Sequence, residues 1–300
     1  MTLLQDLFTD IYFLAIFSCV AAFLISSSIY PVIIYTVRTK NLMDEPGNRK
    51  VHSKKTPTLG GVGLFTAFTL SLILLGIIFG LERTELINLL SLLAATMILF
   101  FLGMKDDLIA LSPKKKLLGQ LVASAFVIFS TDMRINSFDG LLGIGELPYA
   151  FSVLFTFFVF ILVINSFNLI DGIDGLAGAI SLVVSGFFSV FFLLNENYLL
   201  SFVSFIIIGG VLGYLRYNLS DSHKLFMGDS GSLFLGFLLA YQGIGFLILN
   251  ETETSSFTAA NAPMLLLAIL SFPLLDTLRV FTLRAKKRRS PFNPDRNHIH

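Results

Sequence analysis

The sequence predicts an all-α integral membrane protein with many spanning helices. Of its 300 residues, 55% are hydrophobic and 14% are charged, and the mean hydropathy is +0.81. Soluble domains carry about 25% charged residues, so a water-soluble core could not hide this much apolar surface. The charged residues are gathered in short segments between long apolar runs. Because backbone groups in lipid must hydrogen-bond internally, each run is expected to be a helix.

Nine apolar runs approach the roughly 20 residues that a spanning helix needs. They occupy residues 11–37, 59–81, 86–104, 117–131, 149–164, 176–194, 198–215, 232–249 and 262–283. The fourth and fifth are short, so we expect them to tilt little or to extend into flanking residues. Residues 1–300 are expected to form a single multi-span domain.

Composition also excludes several classes of function. The net charge of +1 gives no indication of nucleic-acid binding. The single cysteine, Cys19, lies in an apolar run, so we expect neither a disulfide nor a cysteine-based metal site. No basic segment precedes the first apolar run, so a cleaved signal peptide is not expected.

Basic residues fall almost entirely on one side of the predicted membrane. If the nine runs alternate in direction, eighteen of the 21 Lys and Arg residues share one side, Arg83 and Arg134 lie on the other, and Arg279 lies within the ninth run. Positively charged loops stay cytoplasmic, which predicts an outside N-terminus. The cytoplasmic side then holds the unusual polar segments 44–57, 106–116, 165–174, 218–229 and 290–300. These segments suggest one composite site, although each could be an ordinary inner loop.

The segment NSFNLIDGIDGL, residues 165–176, gives the strongest indication of a binding site. Its carboxylates and amides lie between two apolar runs, which is costly unless they face water or a cation. Asn168, Asp171 and Asp174 are spaced by three, so a helical backbone would align them on one face. That face could hold a metal-bound phosphate or a polar base. The alternative is an Asp/Gly turn.

Two other loops supply carboxylates. Asp106 and Asp107 are adjacent at the inner end of the third run, where a cation would relieve their repulsion or where they form only a polar helix end. Asp229 opens the eighth run and could cap a helix or bind Mg²⁺. Phe226 could stack on a base or anchor at the interface. Lys116 could meet a phosphate or simply reach the membrane surface.

Further cations lie at either end of the chain. Arg49, His52 and Lys55 precede a Gly60-Gly61 pair that would let the backbone approach a ligand or a neighbouring helix. Such a loop suits a phosphate or, more simply, anionic lipid headgroups. In the basic tail, His298 and His300 favour phosphate binding or proton transfer over a metal site.

Together these motifs resemble the polyprenyl-phosphate N-acetylhexosamine-1-phosphate transferases, which include the phospho-MurNAc-pentapeptide translocase. The matching pieces are DEPxxRKxH with TPxxGG, DD with KLxxQ, NxxNxxDGxDGL, FMGDSGS and SPFxxDRxHxH, which span residues 44–300. The ending HIH favours the bacterial UDP-GlcNAc:undecaprenyl-phosphate branch. The family continues into at least one more helix, so the chain is expected to be incomplete at its C-terminus.

The resemblance implies transfer of a sugar-1-phosphate, GlcNAc-1-phosphate first, from a UDP-sugar to undecaprenyl phosphate with release of UMP. The reaction would start a cell-envelope polysaccharide, such as O-antigen or teichoic acid, at the cytoplasmic face of the bacterial inner membrane. Implied partners are UDP-N-acetylhexosamine, undecaprenyl phosphate and membrane lipid, but no nucleic acid, with a homodimer left open. UDP-MurNAc-pentapeptide or another UDP-N-acetyl sugar is the alternative donor. A lipid transporter is the non-enzymatic alternative.

The same resemblance implies roles for individual residues. Asp229, with Asp171 beside it, would bind Mg²⁺ or Mn²⁺. Asp106 and Asp107 would act as a general base or orient the lipid phosphate, and a covalent route through Asp171 stays open. His298 would contact the donor diphosphate. The implied substrate-binding residues are Arg49, His52, Lys55, Lys116, Asn168, Asp174, Phe226 and His300.

Overall fold

The structure, a computed structural model, describes residues 10–40, 43–44, 56–252 and 255–286. Within them lie ten α-helices: α1 (Ile11–Thr39), α2 (Gly60–Phe79), α3 (Arg83–Leu108), α4 (Pro113–Thr131), α5 (Tyr149–Ile170), α6 (Leu176–Leu194), α7 (Tyr198–Asn218), α8 (Gly228–Asn250), α9 (Ala262–Ile269) and α10 (Ser271–Lys286). Two short strands, β1 (Met43–Asp44) and β2 (Thr56–Pro57), pair antiparallel between α1 and α2. The predicted polytopic helical architecture is confirmed.

Seven of the described helices, α1 to α3 and α5 to α8, are long and apolar enough to cross a membrane. Helices α9 and α10 meet at a bend of 71°, so the pair forms a broken span or a re-entrant loop and raises the count to at most eight. The sequence predicted nine. The predicted ninth run is broken because Pro273 cannot donate a backbone hydrogen bond and clashes with the preceding turn.

The predicted fourth run forms α4, which is not among these seven because lysines fill its first turn. It nevertheless runs back along α3. Near its start, Lys116 contacts Asp106 at the end of α3, with Nζ and Oδ2 2.6 Å apart. Near its end, the Ser130 hydroxyl lies 2.9 Å from that of Ser91 in the first half of α3. The two helices therefore form an antiparallel hairpin, and the lysines lie at the same end of the bundle as Asp106.

Helix α8 is the centre of the bundle. Its residues 230–247 are all buried, as expected for a helix that is hydrophobic on every side. Helices α2, α3, α5 and α6 pack around it. Aromatic rings fill the contacts: Phe234 packs edge-on against Phe68 and Phe237 stacks on Phe160, with ring centroids 5.3 and 5.0 Å apart. Apolar side chains also cover the outside, where Ile77 is 74% exposed, and such a surface suits lipid contact.

Glycines bring α2 and α3 against the first turn of α8. A Cβ atom at Gly103 would lie 2.4 Å from the Asp229 carbonyl oxygen, and one at Gly61 would lie 2.2 Å from the Gly231 amide nitrogen. The Gly60 and Gly61 amides also donate to the carbonyls that precede α8. The glycine pair predicted to permit close approach therefore approaches a neighbouring helix.

Candidate active site

Polar residues from four helix ends meet at one end of the bundle. Asp106 and Asp107 close α3, Lys116 lies in the first turns of α4, Asn168 lies in the last turn of α5, and Asp229 opens α8. The structure thus joins three of the polar segments that the sequence placed on one side, and these segments include the ends of α3 and α5 and the starts of α4 and α8. Their convergence follows from the alternating directions of α3, α4, α5 and α8.

Asp229 is held from two sides. Its Oδ1 atom accepts a hydrogen bond from Asn168 Nδ2 at 2.5 Å, and its Oδ2 atom accepts one from Lys116 Nζ at 2.9 Å. The same Asn168 nitrogen donates to the Ser232 hydroxyl at 2.7 Å. Asn168 and Lys116 were both expected to bind substrate, whereas the contribution of Ser232 was not foreseen. Its spacing of three from Asp229 on one helix was the available signal.

Lys116 bridges two carboxylates. Its ammonium lies 2.6 Å from Asp106 Oδ2 and 2.9 Å from Asp229 Oδ2. The other oxygen of Asp106 accepts from the Leu111 amide at 2.5 Å, which fixes that carboxylate at the start of the α3–α4 turn. The Asp106 side chain is only 9% exposed, so the ammonium offsets charge that water solvates poorly.

Asp107 acts as an N-cap for a helix far away in sequence. Its two carboxylate oxygens accept from the backbone amides of Asp229 and Ser230, at 2.7 and 3.0 Å. Both amides belong to the first turn of α8, whose donors have no partner within the helix. The contact stabilises the start of α8 and leaves Asp107 committed to holding Asp229 in place. Sequence reasoning missed this cap because a capping residue usually belongs to its own helix.

Asp171 lies immediately after α5 and beside the other acids. Burial raises the pKa of its carboxyl group well above the usual range, and the carboxylates of Asp229 and Asp107 raise it further. A hydrogen bond from the Gly228 amide acts in the opposite direction. Among the described residues, Lys116 is the only cation in ion-pair contact with this group of four carboxylates. In the part of the chain that the structure describes, the site therefore holds more carboxyl groups than cations.

The predicted polar stripe along residues 168–174 is not formed. Helix α5 ends at Ile170, and the chain turns through the glycines to Gly175, which has a left-handed φ of 75°. Asn168 still faces Asp229 from the helix, but Asp174 lies in the turn and pairs with Lys224. The expectation was wrong because Asp/Gly sequences favour a turn over a helix, which was the alternative interpretation.

Lys224 and Phe226 border the site on the α7–α8 connection. The Lys224 ammonium lies 5.7 Å from the centre of the Phe226 ring and pairs with Asp174. The Phe226 carbonyl accepts from the Gly60 amide at 2.9 Å, which fixes the connection against α2. Sequence analysis had singled out Phe226 but not Lys224.

One turn deeper, α4 and α5 are joined by paired amides. Gln120 and Asn165 exchange two hydrogen bonds, of 3.3 and 2.9 Å, and Gln120 is 1% exposed. Gln120 lies one turn after Lys116, and Asn165 lies one turn before Asn168. The pair therefore fixes the two helices that carry Lys116 and Asn168, the hydrogen-bond partners of the Asp229 carboxylate.

Five of the expected site residues lie outside the described part of the chain: Arg49, His52, Lys55, His298 and His300. Their roles stay predictions.

The donor chemistry of the site fits a hard divalent cation. Within the described residues no group of three or more His, Cys, Asp or Glu side chains is arranged to hold a metal ion. Mg²⁺, however, is usually bound by one or two carboxylates together with substrate phosphates and water. The excess of carboxylate oxygens beside Asp229 and Asp171 suits that mode of binding.

Comparison with known proteins identifies the family of the chain. Residues 89–247, more than half of the chain, match the family glycosyl transferase family 4. The chain belongs to this family. The matched segment of this family 4 protein runs from α3 to α8 and contains all four site carboxylates. The relationship that the sequence motifs suggested is therefore confirmed.

Individual relatives of this family 4 protein match most of its length. An undecaprenyl-phosphate alpha-N-acetylglucosaminyl 1-phosphate transferase from Salmonella typhi is 30% identical over 263 residues, covering 86% of this chain and 68% of the relative. The enzyme of the same name from Escherichia coli (strain K12) has the same identity and coverage. A probable undecaprenyl-phosphate N-acetylglucosaminyl 1-phosphate transferase from Bacillus subtilis (strain 168) is 31% identical over 292 residues, covering 94% of this chain and 76% of the relative.

Proposed function

We propose that the protein transfers a sugar-1-phosphate, GlcNAc-1-phosphate in the first instance, from a UDP-sugar to undecaprenyl phosphate. Family membership and the names of the relatives support this proposal. The observation that carries it is the contact between Asp229, Lys116 and Asn168, which forms a charged site at one end of an apolar bundle. Such a site is suited to a lipid phosphate that enters sideways and a nucleotide that enters from water.

The reaction exchanges one phosphoanhydride bond for another. An oxygen of the acceptor phosphate attacks the β-phosphorus of the UDP-sugar, the bond from that phosphorus to the bridging oxygen breaks, and UMP leaves. The second pKa of a phosphate monoester is about 6, so much of the acceptor is already dianionic at neutral pH. Removal of a proton therefore contributes little, and the protein acts mainly through positioning and electrostatics.

Different described residues would contribute the positioning and the electrostatic stabilisation. Lys116 would place its ammonium against the donor diphosphate, and Asp106 would set the direction of that side chain. Asn168 and Asp107 hold Asp229, one through its carboxylate and the other through the backbone of α8.

Beside this centre, Lys224 and Phe226 offer a cation and a ring face on the α7–α8 connection. Both would suit the uridine end of the donor.

Mg²⁺ is the proposed cofactor, with Mn²⁺ as a substitute. Asp229 and Asp171 would hold it, since both lie in a cluster where carboxyl groups outnumber cations among the described residues. Bound there, the ion would neutralise charge on the diphosphate.

We further propose that the site faces the cytoplasm and that the protein resides in the bacterial inner membrane. The distribution of basic residues along the sequence supports this orientation. A cytoplasmic site would meet UDP-sugars where they are made.

Release of UMP tests the proposed reaction. Membranes containing the protein, undecaprenyl phosphate and UDP-GlcNAc are expected to release UMP and to form a lipid-linked sugar diphosphate. A panel that includes other UDP-N-acetyl sugars and UDP-MurNAc-pentapeptide would identify the donor. Failure to release UMP from any donor would contradict the proposal and favour a transport protein.

A further inference from the structure

The bridging position of Lys116 has a consequence for cation binding. Its ammonium lies 2.9 Å from Asp229 Oδ2 and 2.6 Å from Asp106 Oδ2, so it lies between the two carboxylates. Asp229 is also the first candidate ligand for a divalent ion. An ammonium and a divalent cation repel strongly at such short distances when water is scarce. The two cations therefore compete for the same carboxylate.

The ammonium of Lys116 can leave this position. Lysine has a long flexible side chain, and its ammonium can exchange one set of acceptors for another. It lies near the N-terminus of α4, the positive end of the helix dipole, where a cation is disfavoured unless acids hold it. Its side chain is 20% exposed, so a path to water and to a soluble ligand is open.

Resting on the function proposed above, we propose that Lys116 is an exchangeable counter-ion. Without substrate, its ammonium bridges Asp106 and Asp229 and weakens binding of a divalent cation. When a diphosphate enters, the ammonium transfers to the phosphate oxygens and frees Asp229. The divalent cation and the phosphate ligand then bind with positive coupling, because each removes an obstacle to the other.

This exchange assigns Asp106 a role of its own. Asp106 holds the ammonium through the oxygen that does not bind the Leu111 amide. It therefore retains Lys116 near the site in both states, and it prevents the lysine from pairing with Asp229 alone.

The test measures binding of Mn²⁺ to the purified full chain in nanodiscs, with free Mn²⁺ followed by electron paramagnetic resonance. In the absence of nucleotide, Lys116→Gln is expected to bind Mn²⁺ at least about tenfold more tightly than the wild type, because a competing charge is removed. Addition of UDP should tighten Mn²⁺ binding by the wild type. In Lys116→Gln this gain should be much smaller, because no ammonium needs to move.

Two matched variants separate charge from packing. Lys115 is exposed one position earlier on α4, so Lys115→Gln removes the same charge outside the bridge and should behave as the wild type. Lys116→Arg keeps the positive charge and should retain weak binding of Mn²⁺ alone. Lys116→Arg also provides a test of the inference if Lys116→Gln does not give a monodisperse protein.

Unchanged or weaker Mn²⁺ binding in Lys116→Gln, or an equal gain in Lys115→Gln, would overturn the inference. So would a Lys116→Arg variant that binds Mn²⁺ alone more tightly than the wild type. UMP release is measured in parallel, because it distinguishes this failure from failure of the transferase proposal. If the wild type releases UMP but shows no coupling between Mn²⁺ and UDP binding, the transferase proposal stands and the proposed exchange of Lys116 is wrong.

Discussion

At the scale of single residues, the site is organised around Asp229. Asn168 and Lys116 bind its carboxylate, while Asp107 binds its backbone amide. The sequence identified each of these residues as polar groups at the ends of apolar runs. It could not pair them, because Asp107 and Asp229 are far apart in the chain and no local pattern encodes their contact.

Replacement of Asp107 by Asn should lower turnover more than nucleotide affinity. Asn offers one acceptor in place of two, so one amide in the first turn of α8 loses its partner and Asp229 shifts. Loss of a cap costs about 1 kcal/mol of stability. Thermal unfolding, kcat and UDP-sugar affinity check this expectation. Unchanged turnover combined with lost UDP-sugar binding would reverse the assignment.

Asp171→Asn should stabilise the substrate-free, metal-free protein while it reduces transfer. The pKa of Asp171 is raised in the folded state, so the folded protein binds this proton more tightly than the unfolded chain does. The stability of the fold therefore falls as the pH rises above the carboxyl pKa in the unfolded chain, which is near 4. The loss of stability is complete once the pH exceeds the pKa in the folded protein. Asn removes this loss, so Tm should rise by a few degrees at pH 8 and by less at pH 5.

The control for this experiment is Asp221→Asn, at an exposed position in the α7–α8 connection. It should change Tm little at either pH. A fall in Tm for Asp171→Asn at pH 8 would show that the charged form stabilises the fold.

At the scale of elements, the start of α8 determines the geometry of the site. Gly228 has a left-handed φ of 73°, and a Cβ atom there would lie 2.2 Å from the Thr58 carbonyl oxygen. Two other segments pack against this residue: the end of α3, through Asp107, and the segment before α2, through Thr58. Because Gly228 has no side chain, the Thr58 carbonyl and the Asp107 carboxylate can approach the backbone at the start of α8.

Gly228→Ala should therefore damage both folding and transfer. The left-handed conformation alone costs a non-glycine residue about 1–3 kcal/mol, and the contact with Thr58 adds to this. Gly186→Ala is the matched control, because a Cβ atom there meets no atom within 4 Å. Thermal unfolding should show a large loss for the first variant and little change for the second. Equal stability of the two would contradict this account of the α8 start.

Helix α4 shows where sequence patterns mislead at this scale. Apolar content predicted a short span over residues 117–131, but the helix begins at Pro113 and includes three lysines. The helix can include those lysines because its first turn lies at the polar end of the bundle, where Lys116 pairs with two carboxylates. The stripe expected at residues 168–174 did not form, because α5 ends at Ile170 and the residues after it form a glycine-containing turn.

At the scale of the whole molecule, composition was sufficient to predict a polytopic helical protein. The distribution of charge also gathered the polar segments at one end, where the structure joins those from α3, α5 and α8. Nine runs were predicted, whereas seven or at most eight of the described helices qualify as spans by length and composition. The difference lies in α4, whose first turn holds three lysines, and in the 71° break between α9 and α10. The bridge between Lys116, Asp106 and Asp229 could not be predicted, because it depends on how α3, α4 and α8 pack.

The most direct test of this account is UMP release by Asp229→Asn, with undecaprenyl phosphate, UDP-GlcNAc and Mg²⁺ supplied. The substitution keeps the shape of the side chain and removes its charge. We expect a loss of at least about a hundredfold in turnover, because positioned charge carries most of the catalysis in phosphoryl transfer. Asp221→Asn should release UMP at the wild-type rate. Turnover by Asp229→Asn that is near normal and still depends on Mg²⁺ would contradict the central place given to Asp229.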